Sequence, residues 1–320
     1  MTPAIIEYGE WFEDLENNFH PIPSPSVALN YQSNQATAEN NFMPVANDIR
    51  PYIKQASLVS LCSPQNPTGT TFRKKQLEDI CDLIIEENQR RHEDEKKLYL
   101  LFDQMYWHLT FGDIKHYDPV SLRSEMRPYT IYIDAVSKVF AATGIRVGWS
   151  VGPADVMGKM KAILTHIGAW APMAEQKAVA YFLGKRENIK TFLSTFKKEI
   201  AERLHRIYDG FMVLKNEGLP VDAIAPEAAI YLTIKVDLAG KKTIDGKTIS
   251  DQSEVTSYLL SEAGLAVVPF YAFGAGRSNP WYRLSVGTCK KEEISEMIGK
   301  LREALKKSSL ILTDQKPERL

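Results

Sequence analysis

Ser137-Lys138-Val139-Phe140-Ala141-Ala142-Thr143-Gly144-Ile145-Arg146 is the stretch of this chain best equipped for chemistry. It follows a strand-like run, Tyr129 to Asp134, which puts Lys138 where a buried strand gives way to a loop. A lysine there loses hydration and proton affinity, and can act as an amine nucleophile toward a carbonyl. Ser137 and Arg146 flank it with donors suited to an anion, and a guanidinium matches phosphate geometry. Lysine plus phosphate anchor is the equipment for a Schiff base with a phosphorylated carbonyl cofactor. A Ser-Lys pair ahead of a glycine turn is equally the pattern of a solvated loop, so the rest of the chain has to decide.

The elements that must position the lysine are legible as periodicity. Residues 58–62, 98–103 and 129–134 are short apolar runs bounded by turns, which suits parallel strands buried on both faces. Leu77, Ile80, Cys81, Ile84 and Ile85 recur at helical spacing between the first two runs, with Cys81 on the apolar face. The charged run Arg90 to Lys97 reads as a solvated loop. Strand, helix, strand in this order implies a right-handed crossover and an α/β sheet, to which Val147 to Val151 adds a further strand.

From Pro153 the pattern turns helical as far as Leu183, with an interruption at 168–172. A long helix follows, its buried stripe formed by Leu193, Phe196, Ile200, Leu204, Ile207, Phe211 and Leu214. Strands are expected at Ala228–Val236, Leu265–Val268 and Tyr282–Val286, and helices near 251–263 and 290–306. The division expected is a large domain over 1–185, a connecting helix over 186–215 and a smaller α+β domain over 216–320. Residues 241–247 read as an exposed loop, and the polar tail after Lys307 is expected to fray.

Composition narrows the function classes. A net charge of −1 gives no nucleic-acid or membrane surface. Cys62, Cys81 and Cys289 have neither the count nor the spacing of a disulfide or zinc framework. No signal peptide or membrane-spanning run is legible, so a cytoplasmic protein is expected.

Polar residues collect where each inner strand ends, the edge at which open α/β sheets bind ligands. Ser63-Pro64-Gln65-Asn66-Pro67-Thr68-Gly69 follows the first, Asp103-Gln104-Met105-Tyr106 the second, and Ser137-Lys138 the third. Taken singly these read as a turn, a helix cap and a loop. An aspartate ending a buried strand is costly unless it meets a cation or a donor.

Together these residues resemble the class I/II aminotransferase family of fold-type-I pyridoxal phosphate enzymes, aspartate-aminotransferase-like. Asn66-Pro67-Thr68-Gly69, Asp103-x-x-Tyr106, Ser137-Lys138 with Arg146, Val268-Pro269 with Phe273-Gly274, and Arg283-Leu284-Ser285 carry the likeness, in family order. The resemblance implies a mostly parallel sheet covered by helices, a smaller C-terminal domain and a pyridoxal 5'-phosphate cofactor. It implies amino-group exchange between an amino acid and a 2-oxo acid in amino acid metabolism and biosynthesis, by a homodimer.

Lys138 would then form the aldimine and shuttle the substrate Cα proton, and Asp103 would keep the pyridinium protonated. Tyr106 and Asn66 would hydrogen-bond the phenolic oxygen, Ser137 and Arg146 would hold the phosphate, and Arg283 would take the substrate carboxylate. Other fold-type-I chemistries, such as lyases and decarboxylases, share the lysine and the aspartate.

The resemblance weakens at the start. Family members carry roughly a hundred further residues there, including a glycine-rich turn that gives backbone N–H groups to the phosphate. Gly9 is the only glycine before Gly69. The expectation is a sheet lacking its first strand, a weakened phosphate anchor, and either a feeble or silent enzyme or an active one. Tyr8 or Trp11 would stack on the cofactor ring. Trp107-His108 and the His166–Trp170 segment could line a pocket, although packing explains them as well. An effector domain of a transcriptional regulator finds no support, because no DNA-binding helix pair or basic segment is present.

Overall fold

The computed structural model describes residues 41–243 and 246–309. Two four-stranded sheets organise the chain. The first is built from β1 (Leu58–Cys62), β2 (Tyr99–Asp103), β3 (Thr130–Ala135) and β4 (Gly148–Val151), in that spatial order. β1, β2 and β3 run parallel, with Cys62 opposite Asp103 and Asp103 opposite Ile133. Their carboxyl ends therefore share one edge. β4 turns back antiparallel to β3, pairing Ala135 with Gly148.

α1 (Ala46–Ile49) and α2 (Lys74–Arg90) cover one face of this sheet. Leu77, Ile80, Cys81 and Ile84 of α2 are buried against Val59, Leu61, Leu100 and Phe102, as the helical spacing requires. The Arg90–Lys97 run is not wholly solvated. The Arg91 side chain is only 7% exposed, pairs with Glu87 and donates to the carbonyls of Ile53 and Ala56, closing a loop end that apolar residues could not satisfy.

After α3 (Pro119–Leu122), α4 (Val136–Val139) and β4 come α5 (Ala154–Ile167) and α6 (Met173–Leu183), broken at the expected place. The long helix α7 (Arg186–Asn216) buries Ile200, Leu204, Ile207, Phe211 and Leu214. Leu193 and Phe196, assigned to the same stripe, are only half-buried.

The second sheet is antiparallel: β5 (Val221–Ala223), β6 (Tyr231–Val236), β8 (Trp281–Ser285) and β7 (Val268–Pro269). It packs with α7, α8 (Gln252–Ala263) and α9 (Ile294–Ser309) around one core. A Cβ on Gly210 of α7 would stand 2.7 Å from the Ile298 side chain, so glycine lets α9 approach.

β5 had no expectation, since three residues carry too little alternation. The expected strand from Ala228 begins only at Tyr231. Ala228 makes an isolated bridge to Thr110, and Ala229 takes φ +61°, which interrupts the ladder. The expected strand at 265–268 shrinks to Val268–Pro269. The 105–111 segment after β2 packs into the core of the second sheet through Met105, Tyr106, Leu109 and Phe111.

Candidate active site

The turn after β1 is held from within and by its neighbours: Thr68 O accepts from Thr233 Oγ1 (2.8 Å), Gly69 O from Ala228 N (2.9 Å) and Glu227 Oε2 from Thr71 N (3.2 Å). Gln65 N donates to Thr70 O (2.8 Å), Gly69 N to Gln65 O (2.9 Å), and the Thr68 hydroxyl to Gln65 Oε1 (2.9 Å). Every residue from Ser63 to Phe72 is buried except Asn66. With the buried turn's hydrogen bonds met, the exposed Asn66 amide is left to face the site. Asn66 Oδ1 accepts from Arg283 Nη1 of β8 at 2.7 Å. Gly69, at φ +70°, lies against the β6 backbone, where a Cβ would come within 2.4 Å of the Tyr231 carbonyl oxygen.

β2 delivers Asp103. Its Oδ1 accepts the Met105 amide at 2.9 Å, and no cation pairs with it among the described residues. Burial raises its pKa above the ordinary carboxylate value, and the single amide bond only partly offsets this. Three residues on, the buried Tyr106 hydroxyl meets that of Tyr231 at 2.7 Å. Burial above all holds Tyr106 far above the usual phenol range, so its hydroxyl stays protonated.

β3 delivers the lysine. Val136 and Val139 of α4 are buried and fix this single turn, leaving Ser137 and Lys138 half-buried. Lys138 Nζ has no hydrogen bond or ion pair among the described residues. Thr143 Oγ1 donates to Ser137 O (3.0 Å), and Arg146 Nη1 donates to Thr143 O (2.8 Å). The two residues expected to hold a phosphate are thus joined through Thr143. Arg146 is exposed and takes φ +59°, a left-handed turn that starts the chain back toward β4.

Arg283 reaches the site from the second sheet. Its guanidinium carbon lies 4.8 Å from the Tyr231 ring centroid and 4.9 Å from that of Phe273. Its Nε is buried with no hydrogen-bond partner among the described residues. A buried cationic N–H without an acceptor is costly, and a carboxylate would supply one.

Asn66 and Arg283 are therefore in contact, Asp103 and Tyr106 share one turn, and Ser137, Lys138 and Arg146 share another on the neighbouring strand. Tyr8 and Trp11 lie outside the described residues. Two residues near the site had no expectation. Tyr231 joins Tyr106 to Arg283, and its only sequence signal is an aromatic opening a strand. Asp134 accepts from Ala135 N (2.7 Å) and Trp107 Nε1 (2.9 Å), and burial pushes its pKa up to about 6. Trp107 is thus placed by that bond, with its ring against His108 at 3.6 Å. Packing does not account for the 166–170 segment, since Ile167 is 56% and Trp170 50% exposed.

The donor set fits one kind of ligand. A buried carboxylate lacking a cation suits a pyridinium N–H, a neutral phenol suits a phenolate oxygen, and Ser137 with Arg146 suit a phosphate. With an unpartnered lysine at the same sheet edge, fold and site define a fold-type-I pyridoxal phosphate enzyme architecture. The chain belongs to the class I and II aminotransferases, the family whose model matches residues 26–301.

Among its relatives, it is 29% identical over 244 residues to the aspartate aminotransferase of Bacillus sp. (strain YM-2), covering 75% of this chain and 57% of that one. It is 30% identical over 259 residues to a probable aspartate/prephenate aminotransferase of Rhizobium leguminosarum bv. phaseoli, covering 80% and 60%. The crystal structure of the Rhizobium meliloti aspartate aminotransferase superposes with a TM-score of 0.73 at 25% identity, covering 85% of this chain and 64% of that one. An aromatic aminotransferase from Pyrococcus horikoshii OT3 gives 0.73 at 26%, covering 86% and 66%. The chain thus spans between 57% and 62% of the length of the first curated relatives it matches. Among the described residues, no helix is long and apolar enough to cross a membrane.

Proposed function

We propose that this chain binds pyridoxal 5'-phosphate and exchanges an amino group between an amino acid and a 2-oxo acid. The observation that carries this reading is Asp103: a carboxylate buried without a cation among the described residues, at the sheet edge that also presents Lys138. When bound, the cofactor supplies the electron sink for the substrate Cα.

The residues divide the remaining work. Lys138 Nζ is the attachment point and the base that takes the Cα proton and returns it. Asp103 keeps the ring nitrogen protonated, an ion pair that also relieves its own burial. Tyr106 donates its hydroxyl to the phenolic oxygen, with Asn66 beside it. Ser137 and Arg146 hold the phosphate, and Arg283 takes the substrate carboxylate, completing its unpartnered Nε. Aspartate is the first amino donor to try, because the relatives' names carry it.

The sheet over residues 58–151 belongs to a large domain spanning 1–185, joined through 186–215 to a small domain over 216–320. A homodimer in the cytoplasm completes the reading. Ile167, Trp170, Met173 and Tyr181 are each at least half exposed, and apolar surface of that extent favours association.

The test is a visible absorption spectrum of the chain with added pyridoxal phosphate, beside Lys138→Ala. A bound-cofactor band that the variant lacks and that aspartate or glutamate bleaches is expected. A folded chain giving no such band overturns the reading.

A further inference from the structure

Tyr231 touches both ends of the site. Its hydroxyl lies 2.7 Å from that of Tyr106, and the two rings meet edge to face with centroids 5.5 Å apart. On its face stands the Arg283 guanidinium, 4.8 Å from the centroid. The residue opens β6, paired with Ser285, and its carbonyl oxygen abuts Gly69. Its position is therefore fixed by a sheet, by the turn that carries Asn66 and by the turn that carries Tyr106.

Two facing phenols hold two protons, and only one of these lies between the oxygens. If Tyr106 donates to Tyr231, it presents only lone pairs to the site. If Tyr231 donates, the Tyr106 proton is left to point at an acceptor in the site, and a donating chain of this kind is cooperative. A cation on the ring face draws electron density out of the phenol, which favours Tyr231 as the donor.

We propose that Tyr231 is a positioning residue: its hydroxyl donates to Tyr106, aiming the Tyr106 proton at the cofactor's phenolic oxygen, while its ring holds Arg283. This rests on the site reading above. Donation to the phenolic oxygen favours the deprotonated bound cofactor, so anything that weakens it raises the pH midpoint of the cofactor's absorbance change.

The experiment is a pH titration of bound-cofactor absorbance in the parent, Tyr231→Phe, Tyr106→Phe and the double variant. Tyr231→Phe keeps the ring beneath Arg283 and removes only the hydroxyl. Tyr106→Phe is expected to raise the midpoint by up to about one pH unit, and Tyr231→Phe by a few tenths. The double variant should match Tyr106→Phe, because Tyr231 acts through Tyr106. A lower midpoint in Tyr231→Phe would mean that Tyr231 competes for the Tyr106 proton, and overturns the proposal. An unmoved midpoint, or an additive double variant, overturns it as well. If the parent itself gives no Lys138-dependent band, the site reading has failed and this inference falls with it.

Discussion

Arg283 Nη1 donates to Asn66 Oδ1 at 2.7 Å, joining the turn after β1 to a strand 217 residues later in the chain. Two aromatic faces, Tyr231 and Phe273, hold the guanidinium in one orientation. An arginine held this way loses little further freedom when a carboxylate arrives.

Arg283→Lys is therefore a severe change. A lysine cannot make the planar two-point contact and does not reproduce the stacking between the rings. The concentration of amino acid needed to half-bleach the bound cofactor should rise about ten- to a hundred-fold, matching about 1.5–3 kcal/mol for a charge-assisted hydrogen bond. Cofactor uptake itself should be unchanged. A variant that keeps parental amino acid dependence would remove Arg283 from the carboxylate role.

Gly69 and Gly112 separate two costs that a left-handed glycine can carry. Both have positive φ, +70° and +56°, but only Gly69 has no room for a side chain. Gly112→Ala should cost about 1–2 kcal/mol from backbone conformation alone. Gly69→Ala should cost more than about 3 kcal/mol, since its Cβ would meet backbone oxygen that cannot move without shifting β6. Urea unfolding of the two variants compares them directly. Equal losses would mean that the approach of the turn to β6 is not held in solution.

His116 sets a pH dependence of stability. It lies near the Phe102 and Trp107 rings, and both of its ring nitrogens are buried without a partner among the described residues. Burial holds its pKa down to about 4, with Asp118 opposing this weakly and His108 adding to it. Below about pH 6.5 the unfolded chain takes up a proton that the folded chain refuses until about pH 4. Stability from this group is thus complete above pH 6.5 and is lost as pH falls across that window, by about 3 kcal/mol. His116→Leu should match or exceed the parent at about pH 7.5, and its advantage should grow by about 2–3 kcal/mol at pH 4.5. An advantage that stays constant with pH would show that the imidazole titrates normally.

The sheet that carries the lysine was readable because its strands are continuous apolar runs, and because most of the chemical residues lie just beyond a strand end, with Arg146 leading into the next strand. Asn66, Asp103, Tyr106, Ser137, Lys138 and Arg146 all lie within a short step of a run that periodicity alone picks out. The second sheet was harder. β5 and β7 are two or three residues long, and the Ala229 backbone breaks what reads as one strand.

Tyr231 and Asp134 were not legible as parts of the site because their roles depend on partners distant in sequence. Tyr231 meets a residue 125 positions away. Asp134 sits one residue before Ala135, yet its other partner is Trp107, on the turn after β2. Arg91 hides in a charged run for the same reason: composition reports the charge of a segment, not which member of it turns inward.

The Tyr106–Tyr231, Asn66–Arg283 and Gly69–Tyr231 approaches each join one sheet's turns to the other sheet's strands. A molecule seated across them binds only when both sides are folded and apposed, so it stabilises that joint state by mass action. Amide hydrogen exchange should register this as shared protection. Occupancy would slow exchange in β6 and β8 together with the ends of β1 and β2, even where the ligand touches neither strand. The seam would then open as a single unit rather than as two independent lobes.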